Sequence, residues 1–381
     1  MLLKFNQRMK IAVNTRLLLK DKLEGIGWFT FQTLKRITTN HPEHQFYFIF
    51  DRPFYSDFIF SDNVTPIVIG PPTRHPLLWY IYFEYSIPKV LKRIKADLFL
   101  STDGWLSLKT DVKSVNVIHD LNFEHNPEFI KQPARFYYSR FFKLFAKKAS
   151  ILATVSEYTR RDINTLYDIP CSSIDVVYNG CNDLFSPLNQ QEQINIRKCY
   201  SDGCPYFLFV GLIHKRKNLD NIFKAFDMFK IHDSENTKLI VVGSKKWWKG
   251  DIENAYNAMK YKADVIFLGR TPSGELSKIM ASSLALVYTS LFEGFGIPIL
   301  EAFHAETAVI TSNITSMPEV AGDAALLVNP YSVQQIANAM AKISNNIDLR
   351  TALISKGQIQ RQKFSWDKTA DSLWKTIEKV L

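Results

Sequence analysis

At 381 residues the chain exceeds the length at which one hydrophobic core usually keeps growing, so two domains of ordinary size are expected. A hydrophobic content of 46% and a charged content of 22% exclude a disordered or membrane-embedded chain. The formal net charge of +10 favours anionic partners, whether nucleotide phosphates, anionic lipid or nucleic acid, without choosing among them. The surplus is spread: residues 1–190 hold 24 Lys and Arg against 18 Asp and Glu, residues 191–381 hold 23 against 19. The longest apolar run, Pro76 to Pro88, is too short for a membrane span and carries Glu84. Lys4, Asn6, Gln7 and Arg8 interrupt any signal-peptide pattern. Cys171, Cys181, Cys199 and Cys204 have no C-x-x-C spacing, so neither a zinc site nor a redox pair is expected, and the simplest compartment is the reducing cytoplasm.

Residues 1–8 read as a polar lead-in to alternating strands and helices, the pattern of an α/β doubly wound architecture. In the first half, strand-like runs fall at Lys10–Asn14, Gln45–Phe50, Leu98–Ser101, Ser114–His119 and Ile151–Ser156. A loop and the glycine pair Gly25-Ile-Gly27 follow the first run, ahead of a helix from Trp28. That is short of a full G-x-G-x-x-G, and a loop needing positive φ at one glycine explains it as well. His119-Asp120 closes another run, where binding residues of α/β sheets collect. A histidine satisfied in the next turn, with Asp120 as cap, is the plainer reading there and the only one for His125. Ser156 reads as a structural helix cap. Arg135 to Lys148 is basic and aromatic. It fits a helix burying its aromatic face in the core, and it also fits a helix lying on an anionic membrane surface. Turn formers from Asn179 to Gln193 place the interdomain linker near Ser186–Gln190.

The second series of strands opens at Tyr206–Val210 and continues through Lys238–Val242, Val265–Leu268, Leu284–Thr289 and Ala308–Thr311. Val210-Gly211-Leu-Ile-His-Lys-Arg216-Lys217-Asn218 leads from its first strand into a helix. Adjacent cations at a helix start run against the helix dipole. That misfit argues for an anion, such as a diphosphate clamped by charge-assisted contacts worth on the order of 1.5–3 kcal/mol each. Gly243 and the pair Gly269-Arg270 end the next two strands. After the apolar run Leu284–Thr289 comes Glu293-Gly-Phe-Gly-Ile-Pro-Ile-Leu-Glu301, with Pro298 suited to the first helical position. Gly294 and Gly296 let the backbone approach a ligand, and a helix start can hold a phosphate. A carboxylate beside that phosphate would repel it, so Glu293 and Glu301 read as acceptors for neutral hydroxyls. Ser365 to Leu381 reads as a capped amphipathic helix.

The stretch Glu293 to Glu301 resembles the E-x7-E signature of the retaining glycosyltransferases of family 4, also called glycosyl transferases group 1. The resemblance implies the GT-B fold, two Rossmann-like doubly wound domains facing a cleft. Residues 1–186 would form the acceptor domain and residues 187–364 the nucleotide-sugar donor domain, with a helix over 365–381 crossing back onto the first. It implies that Glu293 contacts hydroxyls of the transferred sugar, that Glu301 binds the ribose, and that Arg216 and Lys217 take the diphosphate. Gly25, Gly27, Gly243, Gly294, Phe295, Gly296 and Ile297 would line the donor, Gly269-Arg270 would read its base, and His119 would hydrogen-bond the sugar or the acceptor hydroxyl. Many members carry an arginine directly after the glycine, where this chain has Leu212; Arg216 supplies that guanidinium in the R-K-N arrangement.

No Asp-x-Asp pair occurs, so the implied mechanism uses no metal and no cofactor beyond the donor substrate, and relies on electrostatic preorganisation. The R-K-N and His-Asp variants resemble mannosyltransferase-like members, which suggests GDP-mannose as donor. The implied acceptor is a hydroxyl of a glycan or lipid-linked glycan in surface polysaccharide biosynthesis, reached from the cytoplasm or through peripheral contact with the inner membrane. A sugar-nucleotide epimerase or a phosphorylase on the same fold is the alternative, although no pyridoxal phosphate lysine is identifiable. No nucleic-acid-binding motif is present.

Overall fold

The computed structural model describes residues 8–20, 23–245 and 248–381; most of the polar lead-in lies outside them. The chain forms two units, one of residues up to Asn179 together with Trp366–Leu381, the other of Gly180–Ser365. The change of unit thus falls at 179–180, ahead of the expected 186–187. Residues 180–189 belong with the second unit, and its first helix, Gln190–Ser201, starts at a capping box between Asn189 and Glu192.

The first unit is built on seven parallel strands: β1 (Lys10–Asn14), β2 (Gln45–Phe50), β3 (Val64–Val68), β4 (Leu98–Ser101), β5 (Lys113–Ile118), β6 (Ile151–Thr154) and β7 (Ile174–Val176). Their order is β3-β2-β1-β4-β5-β6-β7. The chain winds one way through β1, β2 and β3, then returns to β4 beside β1. The gap between the carboxyl ends of β1 and β4 is therefore a switch point, where doubly wound sheets bind ligands. β4 is buried at every residue and β1 at all but its first, because a parallel sheet is covered on both faces.

The second unit has six parallel strands: β8 (Tyr206–Val210), β9 (Lys238–Val242), β10 (Val265–Gly269), β11 (Ala285–Tyr288), β12 (Ala308–Ser312) and β13 (Leu326–Val328). The order β10-β9-β8-β11-β12-β13 puts its switch point between β8 and β11. Phe207, Phe209, Leu239, Val241, Val287 and Ile310 alternate from these strands into one core with Phe223 and Phe226 of the helix Leu219–Lys230.

The helix after β1 spans Gly25–Asn40 and starts at Gly25 rather than Trp28. Gly25 and Gly27 are therefore its first turn and neither takes positive φ. Gly27 is small for a packing reason: a Cβ there would lie 3.2 Å from the carbonyl oxygen of Leu17. The final helix, Trp366–Glu378, packs on the helix Gly25–Asn40. Trp374 stacks on His41 at 3.7 Å, and Asp367 accepts from Arg36. At its end, Lys379 pairs with Asp175 at 2.6 Å.

Candidate active site

At the second unit's switch point the chain leaves β8 through Gly211 and enters a tight basic turn, Lys215–Lys217. Asn218 ends the turn with φ 61°. Its side chain donates to the carbonyls of Thr289 (3.0 Å) and Pro330 (2.7 Å), which pins the turn against the end of β11. His214 caps the turn through Nδ1, which accepts from the Arg216 amide. Burial, then Arg216 and Lys217, push the His214 pKa down, so the ring stays a neutral acceptor.

Glu293 lies five residues beyond β11 and is 7% exposed. Its Oε2 accepts from Arg216 Nη1 at 2.6 Å and its Oε1 from Lys217 Nζ at 2.6 Å. Arg216 also donates to the Phe292 carbonyl at 2.7 Å, and Lys217 to the Tyr288 hydroxyl at 2.8 Å. Burial opposes the Glu293 charge, but Lys217 and Arg216 outweigh it and hold the pKa at about 2. Tyr288 is fully buried and its phenol is pushed well above 10 by burial and by Glu293, so it stays neutral and accepts from Lys217. The cluster carries two cations and one carboxylate.

Ser316 Oγ fixes the loop by donating at 2.9 Å toward the carbonyls of Glu293 and Phe295. Gly296, at φ 110°, caps the helix Ile297–His304. Ile297 rather than Pro298 is thus the first helical residue, and Glu301 falls in the second turn. The Phe295 ring turns inward, 4% exposed and edge-on to Phe364 at 5.7 Å, so only the backbone there can face a ligand. The Glu301 carboxylate has no hydrogen-bond or ion-pair partner among the described residues, and burial raises its pKa to about 7. Gly211, Gly243 and Gly269 link neighbouring strand ends: Gly211 N donates to Val242 O (3.0 Å) and Gly243 N to Gly269 O (2.8 Å). A Cβ on Gly243 would fall 1.8 Å from the Gly211 oxygen. Arg270 follows this edge and is exposed. A groove of about 540 Å³ flanks the basic turn on the Lys215 side, lined also by Asn221, Asp251 and Tyr331.

In the first unit, His119 sits one residue past β5. Its Nε2 is 2.8 Å from the Thr102 carbonyl. A carbonyl only accepts, so Nε2 carries the hydrogen and Nδ1 is left as a bare acceptor. Burial lowers the pKa of the ring, which stands edge-on to Phe29 at 4.9 Å. Asp120 caps the next turn by accepting from Asn122 N at 2.9 Å, and His125 pairs with Asp162 at 2.8 Å.

Residues 191–360 match the family model for glycosyl transferases group 1, and residues 30–183 that for glycosyltransferase family 4. The chain is a family 4 glycosyltransferase. O-antigen chain mannosyltransferase B of Escherichia coli is 27% identical to this glycosyltransferase over 256 residues, 67% of each chain. O-antigen chain mannosyltransferase RfbU of Salmonella typhimurium is 26% identical over 283 residues, 71% of this chain and 75% of that one. The structure of Anabaena HepE in complex with UDP-glucose aligns with a TM-score of 0.76 at 16% identity, covering 98% of this chain and 100% of that one, a likeness that shows the GT-B fold.

The glycosyltransferase therefore brings Glu293, Arg216 and Lys217 into direct contact, while His119 lies in the other unit. Four contributors carried no assigned role in the sequence. Tyr288 and Asn218 hold the basic turn. Arg16 and Asp103, 8% and 7% exposed, pair at 2.7 Å across the β1–β4 switch point. The Arg16 guanidinium lies over Trp105 at 4.6 Å. A signal was present: apolar strands β1 and β4 each end in a polar run, Asn14-Thr15-Arg16 and Ser101-Thr102-Asp103.

Proposed function

We propose that this glycosyltransferase moves a hexose, mannose by the likeness to its relatives, from a nucleotide-diphosphate sugar to a hydroxyl of a glycan or lipid-linked glycan. Surface polysaccharide biosynthesis is the process proposed, with GDP-mannose the first donor to test. The single observation that carries this is the cluster of Arg216, Lys217 and Glu293 at a doubly wound switch point. Its net charge of +1 suits a diphosphate, and the cations are held in place before any ligand arrives, so little reorganisation is needed as charge develops on the leaving group.

Each Glu293 oxygen has lone-pair capacity beyond its cation, so the carboxylate can also accept from sugar hydroxyls. Glu301, with no partner of its own, suits the ribose hydroxyls. In the step proposed, the acceptor oxygen attacks the anomeric carbon on the face the diphosphate leaves. The bond from that carbon to the phosphate oxygen breaks, and the acceptor's proton passes to the departing phosphate. Configuration is retained, and Lys217 and Arg216 supply the positive charge without a metal. The bare Nδ1 of His119 receives a hydrogen bond from an acceptor hydroxyl.

The test is a thermal-shift screen of the purified protein against nucleotide sugars, followed by transfer and hydrolysis assays with and without chelator. GDP-mannose is expected to stabilise the protein and to be turned over in both conditions. Lys217→Ala is expected to abolish turnover. Full activity in that variant, or no response to any nucleotide sugar, overturns the proposal.

A further inference from the structure

Pro76 to Ile94 is one helical path, a helix (Pro76–Ile81) running through a single π turn (Tyr82–Ser86) into a second helix (Ile87–Ile94). Its inner side is core: Tyr82, Phe83 and Ile87 are fully buried. Its outer side is unusual. Leu77, Ile81 and Tyr85, on successive turns, are 62%, 37% and 52% exposed. Beside it runs the helix Ala134–Lys148, joined through Trp79–Tyr137 and Tyr80–Phe141 ring contacts at 5.6 and 5.9 Å. That helix buries Tyr137, Phe142 and Phe145 yet exposes Phe136 (65%) and Leu144 (37%). Two packed helices thus present five large apolar side chains to solvent, where scattered single ones are the norm.

The charge around them is one-sided. Residues 74–95 and 131–148 contain eleven Lys and Arg against a single acidic residue, a surplus of ten equal to the formal net charge of the whole chain. The one acid, Glu84, is 3% exposed and is spent on the Leu108 amide. Arg74, Lys89, Arg135, Arg140 and Lys147 are exposed and form no ion pair among the described residues. Lys109 rests on the Tyr85 ring at 3.8 Å, adding a further cation to the rim.

This surface adjoins the substrate edge of the first unit. Asp51, one residue past β2, accepts from the Thr73 amide and hydroxyl at 2.7 and 2.6 Å, and the Thr73 carbonyl accepts from Trp79 Nε1 at 2.9 Å. The start of the apolar stripe is therefore tied to the same carboxyl-end edge of the sheet that bears Arg16 and His119.

We infer that the Leu77–Ile81–Tyr85 stripe, with Phe136 and Leu144 beside it, docks the enzyme on an anionic bilayer. The apolar side chains enter the headgroup boundary while the surrounding cations contact lipid phosphates. The helices lie on the membrane and do not cross it, consistent with a run too short to span one. The inference rests on the proposed lipid-linked acceptor, because docking at this edge brings membrane-borne acceptors to the enzyme.

Vesicle co-sedimentation of the full chain tests it. Wild type is expected to bind vesicles of equal parts phosphatidylglycerol and phosphatidylethanolamine, to ignore phosphatidylcholine alone, and to be released by high salt. Leu77→Ser/Ile81→Ser/Tyr85→Ser is expected to lower the partition coefficient at least tenfold. Arg140→Glu/Lys147→Glu should lower it at least about twenty-five-fold, at about fivefold per basic residue lost and with the two added carboxylates repelled as well. Both variants change exposed positions and are expected to keep the wild-type melting temperature and donor hydrolysis in solution. Failure of wild type to bind the anionic vesicles, or undiminished binding by both variants, overturns the docking surface. Loss of donor binding in wild type would instead strike the proposed function and is read separately by thermal shift with GDP-mannose.

Discussion

Replacing Glu293 with Gln keeps the shape of the side chain and removes one charge from the cluster with Arg216 and Lys217. The carboxyl is held at about 2 against an ordinary 4.5, which corresponds to about 3 kcal/mol of preference for the charged form at 1.36 kcal/mol per pKa unit. Removing one partner of a buried ion pair typically costs about 3–5 kcal/mol. Here the loss is smaller, because a Gln oxygen still accepts one hydrogen bond and the cations keep the Phe292 carbonyl and the Tyr288 hydroxyl. About 2–3 kcal/mol is expected, which lowers the melting temperature of a unit this size by roughly 5–10 °C.

The pH dependence has a definite sign. The folded pKa lies below the unfolded one, so the Glu293 contribution is complete above pH 4.5 and is lost as pH falls toward 2. Denaturant unfolding at pH 7 and pH 5 should therefore give the same gap between wild type and Glu293→Gln, narrowing only in stronger acid. Ligand should act in the opposite direction. With two cations no longer neutralised, GDP should raise the melting temperature of the variant more than that of wild type, while transfer falls. A variant as stable as wild type at pH 7 would show that the cluster stores no such energy and refute the reasoning.

Glu301, with its pKa raised to about 7 by burial, should make nucleoside diphosphate affinity rise as pH passes from 6 to 8. Calorimetric titration of Glu301→Gln should show no such rise, and a persisting one assigns it to another group. His119→Gln preserves a donor for the Thr102 carbonyl but removes the Nδ1 acceptor; transfer should drop about 10²–10³-fold with unchanged circular dichroism. Retained activity would leave His119 a structural residue. Gly243→Ala forces a Cβ to within 1.8 Å of the Gly211 oxygen, so the β8 and β9 ends must separate. Lost GDP binding by thermal shift is expected, and wild-type binding would show that these turns do not shape the donor site.

The alternation of strands and helices was legible because parallel strands buried on both faces read as continuous apolar runs. The segments Gln45–Phe50 and Tyr206–Val210 could be bounded to the residue. Val64–Val68 was not recognised, since it contains Pro66 and forms an edge of its sheet, the place where a strand tolerates proline. Leu326–Val328 was missed as a three-residue edge strand. At the site, the types and spacing of Arg216, Lys217 and Glu293 are visible in the sequence, but not that the carboxylate binds both cations, because strand order brings together residues 76 and 77 positions apart in the chain. The run Pro76–Pro88 reads in the sequence only through its length and its Glu84. Length excludes a span but says nothing of which face a helix turns outward.

Each unit places a buried ion pair at the point where its strand order reverses, and the stoichiometry of the two pairs differs. Between β1 and β4, one arginine meets one carboxylate, Arg16 with Asp103, and the local charge cancels beneath a roof of Trp105 and Phe83. Between β8 and β11, two cations meet one carboxylate, and a positive charge remains. A diphosphate gains Coulomb energy at the second and finds none to gain at the first. At the first, a phosphate would meet Asp103 without a spare cation. The same winding of the chain is thus repeated with one additional cation, and of the two switch points only the second keeps a positive charge to meet an anion.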